Sequence, residues 1–396
     1  MIPTLRTFMA GISVAALLAG SAAAFETRAR AAFVLDQSTG TVLLAKNADE
    51  ALPPASMSKL MTLYMAFEAI KENRLSLDER LPVSQHAMSY GGSTMFLDTT
   101  DRVRVDDLLR GIIVLSGNDA CAVIAEALSP DGTERGFADL MTRRAQQMGM
   151  TSSTFKNSNG WPADGHLMSM RDLTLLASHL IRDFPEFYPI FAEQKFEFDG
   201  RAPQNSSNRN PLLGLGIGAD GLKTGHTSEA GYGLVGSAQQ NGRRIIFSMT
   251  GLDSTRARAE ESESVVNWAF RQFAEKQITT AGKPIATAQV WNGAADSVGL
   301  VTTEDVRLLL PTLTGAPLDA EVVYTGPLQA PIAKGAQLAE LIIRPEGLPE
   351  HRVQLVAEHA VARGGFVNRM LTVSKALIAR VNASSEAPAP TTEETM

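Results

Sequence analysis

The 396-residue sequence is 44% hydrophobic and 20% charged, with 32 Gly and 19 Pro, which excludes a wholly disordered, collagen-like or coiled-coil chain and leaves room for two or three domains. Thirty-six basic against 43 acidic residues give a net charge of −7, and no basic stripe interrupts that balance, so nucleic acid is not an expected partner. Cys121 is the single cysteine; the chain can form no internal disulfide and no cysteine-ligated zinc site.

Residues 1–24 read as a secretory leader. Arg6 supplies a positive start, residues 8–18 are an apolar run, and Ser21-Ala22-Ala23-Ala24 offers a small-residue cleavage pattern. The run is shorter than the roughly 20 residues a bilayer span needs, which favours cleavage over a retained anchor and a mature chain starting at Phe25. Residues 31–36 and 41–45 are apolar runs on either side of Ser38-Thr39-Gly40, a hairpin signal. After Pro53-Pro54, residues 57–70 lack Gly and Pro and are rich in Leu, Met and Ala, predicting a helix that begins near Ser56. Residues 105–115 and 120–128 read as two more helices joined at Ser116-Gly117-Asn118. Further on, residues 234–236 and 245–249 are strand-like and residues 259–273 form a long helix.

From about Lys276 helical spacing gives way to short β-rich runs at 288–291, 322–324, 341–343 and 353–356, separated by Gly- and Pro-containing turns. The expected organisation is therefore a first domain over 25–276, a small all-β domain over 277–363, an amphipathic helix over 364–382 and a disordered tail over 383–396. On that last helix Phe366, Val367, Met370, Leu371, Val373, Leu377, Ile378 and Val381 share an arc of about 160°, while Arg369, Lys375 and Arg380 lie opposite. Such a basic amphipathic helix suits an anionic membrane surface, the plainer alternative being a domain cap. Glu386, Glu393 and Glu394 in the tail would be repelled by the same surface.

Three short motifs carry chemistry. In Ser56-Met57-Ser58-Lys59 the i, i+3 spacing puts a hydroxyl and an amine on one helix face. A lysine kept neutral by burial and a neighbouring cation can take the serine's proton and make it a nucleophile. The pattern alone is weak, since Ser153-Thr154-Phe155-Lys156 also satisfies it. The second motif, Ser116-Gly117-Asn118, has a decoy at Ser206-Ser207-Asn208, whereas Lys223-Thr224-Gly225 occurs once, followed by His226-Thr227 and just ahead of the strand-like Tyr232-Gly233-Leu234-Val235. Gly225 would let a substrate backbone approach a strand edge. Their order matches the active-site set of penicillin-recognising serine enzymes.

The chain resembles the D-alanyl-D-alanine carboxypeptidases among the low-molecular-mass penicillin-binding proteins. The resemblance extends to Pro54-Ala55-Ser56, to residues 93–97 and 116–121, to residues 220–227 and to Ala230-Gly231-Tyr232. It implies an α/β (α+β) catalytic domain of the serine transpeptidase and β-lactamase type, a small all-β domain and a C-terminal anchor helix. Ser56 would attack the carbonyl between two terminal D-alanines of a peptidoglycan stem pentapeptide, with Lys59 accepting its proton. Ser116 and Asn118 would pass a proton to the leaving amine and hold Lys59 and the substrate amide, and Lys223 would keep Lys59 neutral by repulsion. Backbone N–H groups of Ser56 and His226 would form the oxyanion hole. Thr224 and Arg258 would hold the terminal carboxylate, with Arg256 the competing arginine. The resemblance also implies β-lactams as covalent inhibitors, no metal or other cofactor, and a place on the periplasmic face of the cytoplasmic membrane, attached peripherally through the C-terminal helix.

Other readings are weaker on the same residues. A class A β-lactamase needs a deacylating glutamate in a Glu-x-x-Leu-Asn context, which the sequence lacks. A metallopeptidase is disfavoured by six scattered histidines without His-Glu-x-x-His. A non-catalytic wall-binding module would not need three intact motifs. A D,D-endopeptidase that cuts cross-links shares the serine chemistry and is the main alternative.

Overall fold

The computed structural model describes residues 25–201, 204–312, 318–346, 348–365 and 370, so the expected leader, the tail and all but a fragment of the expected amphipathic helix lie outside them. The first domain is organised by a five-stranded antiparallel sheet in the order β2-β1-β7-β6-β5. Its strands are β1 (Ala31–Asp36), β2 (Thr41–Lys46), β5 (Ala219–Thr227), β6 (Gly231–Gln240) and β7 (Arg243–Leu252). The expected hairpin is β1–β2, closed where Asp36 Oδ1 accepts from Thr39 N at 2.9 Å. A second hairpin joins β6 to β7 through Asn241 and Gly242, at φ of 52° and 83°, the left-handed pair that a tight turn between twisted strands demands.

Alternation along β1 separates two cores. Ala31 and Phe33 face the larger one, shared with α6 (Met170–Asp183), while Ala32 and Val34 face the smaller one beneath α7 (Thr255–Gln272). The larger core is filled from the other side by α1 (Lys59–Lys71), α4 (Asn118–Leu128) and α5 (Glu134–Gln147). On α1, Leu60, Met61, Leu63, Tyr64, Ala66, Phe67 and Ala69 are all buried, the pattern of a helix surrounded on nearly every side. The short helices α2 (Gln85–Met88) and α3 (Val105–Arg110) and a two-stranded ribbon of β3 (Arg80–Pro82) and β4 (Arg102–Arg104) complete this lobe.

Several boundaries differ from expectation for identifiable reasons. The helix expected over 57–70 opens with a 3-10 turn, Ala55–Ser58, so Ser56 precedes the α-helix proper. The helix expected over 105–115 widens into a π-helical turn at Gly111–Leu115 and stops at Ser116, whose φ of 63° is left-handed. A side chain at Gly111 would strike Met95. Helix α7 starts at Thr255, four residues early, because Ser254 caps it by accepting from Ala257 N at 3.0 Å.

Beyond α7 the chain turns directly into β8 (Phe273–Thr279), which spans the boundary expected at 276/277 and pairs with β11 (Val306–Pro311). A six-stranded sheet, ordered β12-β14-β15-β10-β9-β13, comprises β9 (Ala286–Trp291), β10 (Ser297–Val301), β12 (Asp319–Val323), β13 (Leu328–Gln329), β14 (Gln337–Arg344) and β15 (His351–Ala357) around its own apolar core. Each of the four β-rich runs read from the sequence lies on or beside one of these strands. Among the described residues no helix is long and apolar enough to cross a membrane.

Candidate active site

The 3-10 turn carrying Ser56 is wedged between β5 and the loop 157–161, and two glycines make this possible. A Cβ on Gly225 would lie 3.0 Å from Pro54 O and from Met57 Cγ. The close approach at Gly225 is therefore that of the serine turn to the strand, which differs from the expected approach of substrate. On the other side a Cβ on Gly160, at φ +83°, would lie 1.9 Å from Ala55 O. Ala55 is left-handed at φ 49°, so the residue before Ser56 is held in a conformation non-glycine residues adopt only under constraint.

Lys59 is buried without solvent exposure, one turn along from Ser56. Its Nζ lies 2.8 Å from Ser56 Oγ, 2.7 Å from Asn118 Oδ1 and 2.6 Å from the carbonyl oxygen of Asn159. The last two atoms can only accept. A neutral amine therefore spends both N–H bonds on Asn118 and Asn159, and its lone pair is left for the hydroxyl proton of Ser56. Burial drives the Lys59 amine down to about 8 from an ordinary 10.5, helped by the charge of Arg209 and opposed by the carboxylates of Asp119 and Glu134.

Ser116 and Lys223 form the second half of the site. Lys223 Nζ donates to Ser116 Oγ at 2.9 Å and to Thr224 O at 3.3 Å, all three residues being buried. Lys223 is held well below its ordinary range by burial first, then by Lys59 and Arg209. Burial is the first cause at both lysines, Arg209 is a cation that bears on both, and the repulsion between Lys59 and Lys223 disfavours charging the pair together. Asn118 is fixed at both ends, its Nδ2 donating to Gly91 O at 2.8 Å and its backbone N–H to Ser93 O at 2.7 Å. Asp119 beside it accepts from the backbone N–H groups of Met95 and Leu97 at 3.0 and 3.1 Å, which ties down residues 93–97.

The two candidate arginines separate cleanly. Arg256 is 87% exposed and paired with Glu260 at 2.7 Å. Arg258 is 7% exposed, its charge set over the Tyr232 ring, its Nη2 3.4 Å from Arg209 O and its buried Nε without a partner. An unsatisfied buried guanidinium nitrogen is costly unless a ligand meets it. Thr224 is buried on edge strand β5, whereas the His226 ring is exposed and stacks on Tyr232 with centroids 3.9 Å apart. Lys223-Thr224-Gly225 thus lies within β5, just ahead of β6, the strand expected from Tyr232-Gly233-Leu234-Val235.

Two contributors have no signal in the sequence. Arg209, in a loop between Asn208 and Asn210, donates to Ser93 Oγ at 2.7 Å and Asn205 Oδ1 at 2.8 Å, and it acts on both lysines. Asn159 matters through its backbone carbonyl, which no residue preference reports. The decoy motifs are structural: Ser153 is buried and donates to Asp172 Oδ2 at 2.7 Å while Lys156 points to solvent, and Asn208 donates to Glu193 O at 3.0 Å. Cys121 is buried on α4, its thiol pushed up to about 12 by desolvation.

A serine activated by a buried lysine, with a second serine–lysine pair beside it on an α+β scaffold, defines a penicillin-recognising serine enzyme. Comparison with known proteins narrows this. The model of the D-alanyl-D-alanine carboxypeptidase family (peptidase S11) matches residues 17–253, and that of the penicillin-binding protein 5 C-terminal domain matches residues 273–363. The chain is 37% identical to the D-alanyl-D-alanine carboxypeptidase DacC of Escherichia coli K12 over 354 residues, covering 86% of each. Penicillin-binding protein 5 of Haemophilus influenzae superposes with a TM-score of 0.71 at 32% identity, over 86% of this chain and 99% of that one. Penicillin-binding protein D2 of Listeria monocytogenes, solved in an ampicillin-bound form, does so with 0.56 at 32% identity, over 62% and 99%. The chain belongs to the D-alanyl-D-alanine carboxypeptidase family of penicillin-binding proteins.

Proposed function

We propose that the protein removes the terminal D-alanine from peptidoglycan stem pentapeptides through an acyl-enzyme on Ser56. The observation that carries this reading is the placement of Lys59 Nζ, 2.8 Å from Ser56 Oγ with its other two contacts both acceptors. As Ser56 Oγ bonds to the carbonyl carbon between the two D-alanines, its proton passes to the Lys59 lone pair. The oxyanion is taken by the backbone N–H groups of Ser56 and His226. The C–N bond then breaks, and the proton reaches the departing amine by way of Ser116, which Lys223 holds. Asn118 presents its second amide N–H to the substrate backbone. Water attacks the ester with Lys59 again accepting a proton, and Ser56 leaves with that proton restored. A β-lactam would acylate the same oxygen, and the ampicillin-bound Listeria relative supports that partner.

The buried guanidinium of Arg258 favours carboxypeptidase over endopeptidase action. Arg258 with its open Nε and the buried hydroxyl residue Thr224 suit a free carboxylate at the end of the substrate, and an amide-blocked cross-link brings no charge to meet the guanidinium. D-Alanine release from a D-Ala-D-Ala pentapeptide, followed for wild type and Ser56→Ala, tests the assignment. Release by wild type alone is expected; equal release by both would reject it.

We further infer export by residues 1–24 and attachment to the outer surface of the cytoplasmic membrane by residues 364–382, on the basis of the leader pattern and the basic amphipathic arc. Deleting residues 366–396 should move the protein from the membrane pellet to the soluble fraction with peptide hydrolysis intact. A truncated chain that still pelleted in high salt would reject this attachment.

A further inference from the structure

We propose that Glu134 is a positioning residue for Lys59, acting through the Ser158–Asn159 peptide. Glu134 opens α5, is 6% exposed, and none of its atoms contacts the reacting groups. Its Oε1 accepts from Ser158 N at 2.8 Å and Ser158 Oγ at 2.5 Å, with Asn159 Nδ2 at 3.5 Å. Its Oε2 accepts from Tyr90 OH at 2.7 Å and meets His86 Nε2 at 2.7 Å.

The carbonyl side of Ser158 is tied as well. Thr62 Oγ1, one turn beyond Lys59 on α1, donates to Ser158 O at 2.5 Å. Asn157 Oδ1 accepts from Asn159 N at 3.2 Å and Gly160 N at 2.8 Å. With its neighbours held this way, the Asn159 carbonyl has one direction available, toward Lys59 Nζ at 2.6 Å. That bond occupies one N–H of the neutral amine and so turns the lone pair to Ser56.

A carboxylate is the group this place requires. Ionised, it is acceptor-only and can take every one of these donors, whereas an amide would set an N–H against Ser158 or Tyr90. Burial pushes the carboxyl up, but the bonds from Ser158, His86 and Tyr90 outweigh it and hold Glu134 below its ordinary range. Its negative charge also reaches Lys59. The charged groups acting there are Asp119 from α4, Glu134 from α5 and Arg209 from the loop before β5, with Lys223 on β5 behind Ser116 and the Cys121 thiol of α4 neutral beside them. Glu134 is thus one of the few groups keeping the Lys59 amine from falling further.

The test is the rate of acylation of the full-length Glu134→Gln protein by a soluble β-lactam as a function of pH, with the thermal transition recorded alongside. The expected result is a folded protein whose plateau rate falls about tenfold or more and whose acid limb moves to lower pH, because a negative charge near Lys59 has gone. Ser158→Ala keeps that charge and should lower the rate without moving the limb. A folded Glu134→Gln protein with wild-type rate and limb overturns the proposal, as does a loss that merely follows the fraction of folded protein with the limb in place. If Glu134→Gln does not fold, Ser158→Ala decides: a slowed, folded enzyme supports the proposal and a wild-type rate overturns it.

Discussion

The pH dependence of acylation can be worked from one side chain. With the Lys59 amine at about 8, roughly one molecule in ten carries the neutral base at pH 7, half at pH 8 and about nine in ten at pH 9. If Lys59 accepts the Ser56 proton, the second-order rate of acylation by a soluble β-lactam should rise about eight- to tenfold from pH 7 to pH 9 and flatten above that. An amine left at the ordinary 10.5 would be neutral in about three molecules per ten thousand at pH 7, and the rate would climb about a hundredfold over the same interval with no plateau. Time-resolved labelling with a fluorescent penicillin, quenched and normalised to the titre of reactive serine, separates the two. Unit slope through pH 9 would refute burial as the device that activates Lys59. A flat profile from about pH 6 upward would refute Lys59 as the base.

Gly160→Ala should cut acylation by on the order of a hundredfold, because its Cβ meets the backbone of Ala55 and displaces the serine turn; a wild-type rate in the folded variant would mean that turn tolerates the shift. Arg258→Ala should lower kcat/KM for D-alanine release by on the order of a hundredfold and narrow the preference for a free pentapeptide over a cross-linked dimer, read by product analysis on both substrates. Ser153→Ala should cost about 1–2 kcal/mol, since it removes a buried donor to Asp172, and lower the melting temperature by a few degrees while acylation stays at the wild-type rate.

What was legible follows from how local each signal is. Ser56 and Lys59 meet through one helical turn, so spacing alone pairs them; the resemblance supplied their distant partners Ser116 and Lys223. The long apolar helix α1 and the β1–β2 hairpin announce themselves by periodicity. Strand β5 does not, because in Ala219–Thr227 only Leu222 is a large apolar residue and the strand is built for a site and an edge. Helices α5 and α6 carry only their caps, Thr133 and Ser169, as local start signals, and Asn241-Gly242 is the local signal of the β6–β7 hairpin. Arg209, Asn159 and Glu134 belong to a different category. Each acts across a tertiary contact or through a backbone atom, so no pattern in its own neighbourhood records the role. The depth at which Lys59 and Lys223 are buried has the same origin: it depends on tertiary packing, which spacing does not reveal.

Everything proposed for this site turns on Ser56, activated by Lys59, acting as the nucleophile. Intact mass followed by peptide mapping of the purified protein after exposure to a β-lactam tests this assignment. One covalent adduct on the peptide containing Ser56, absent from Ser56→Ala and retained in Ser153→Ala, is the predicted result. An adduct on any other serine, or undiminished labelling of Ser56→Ala, would contradict it.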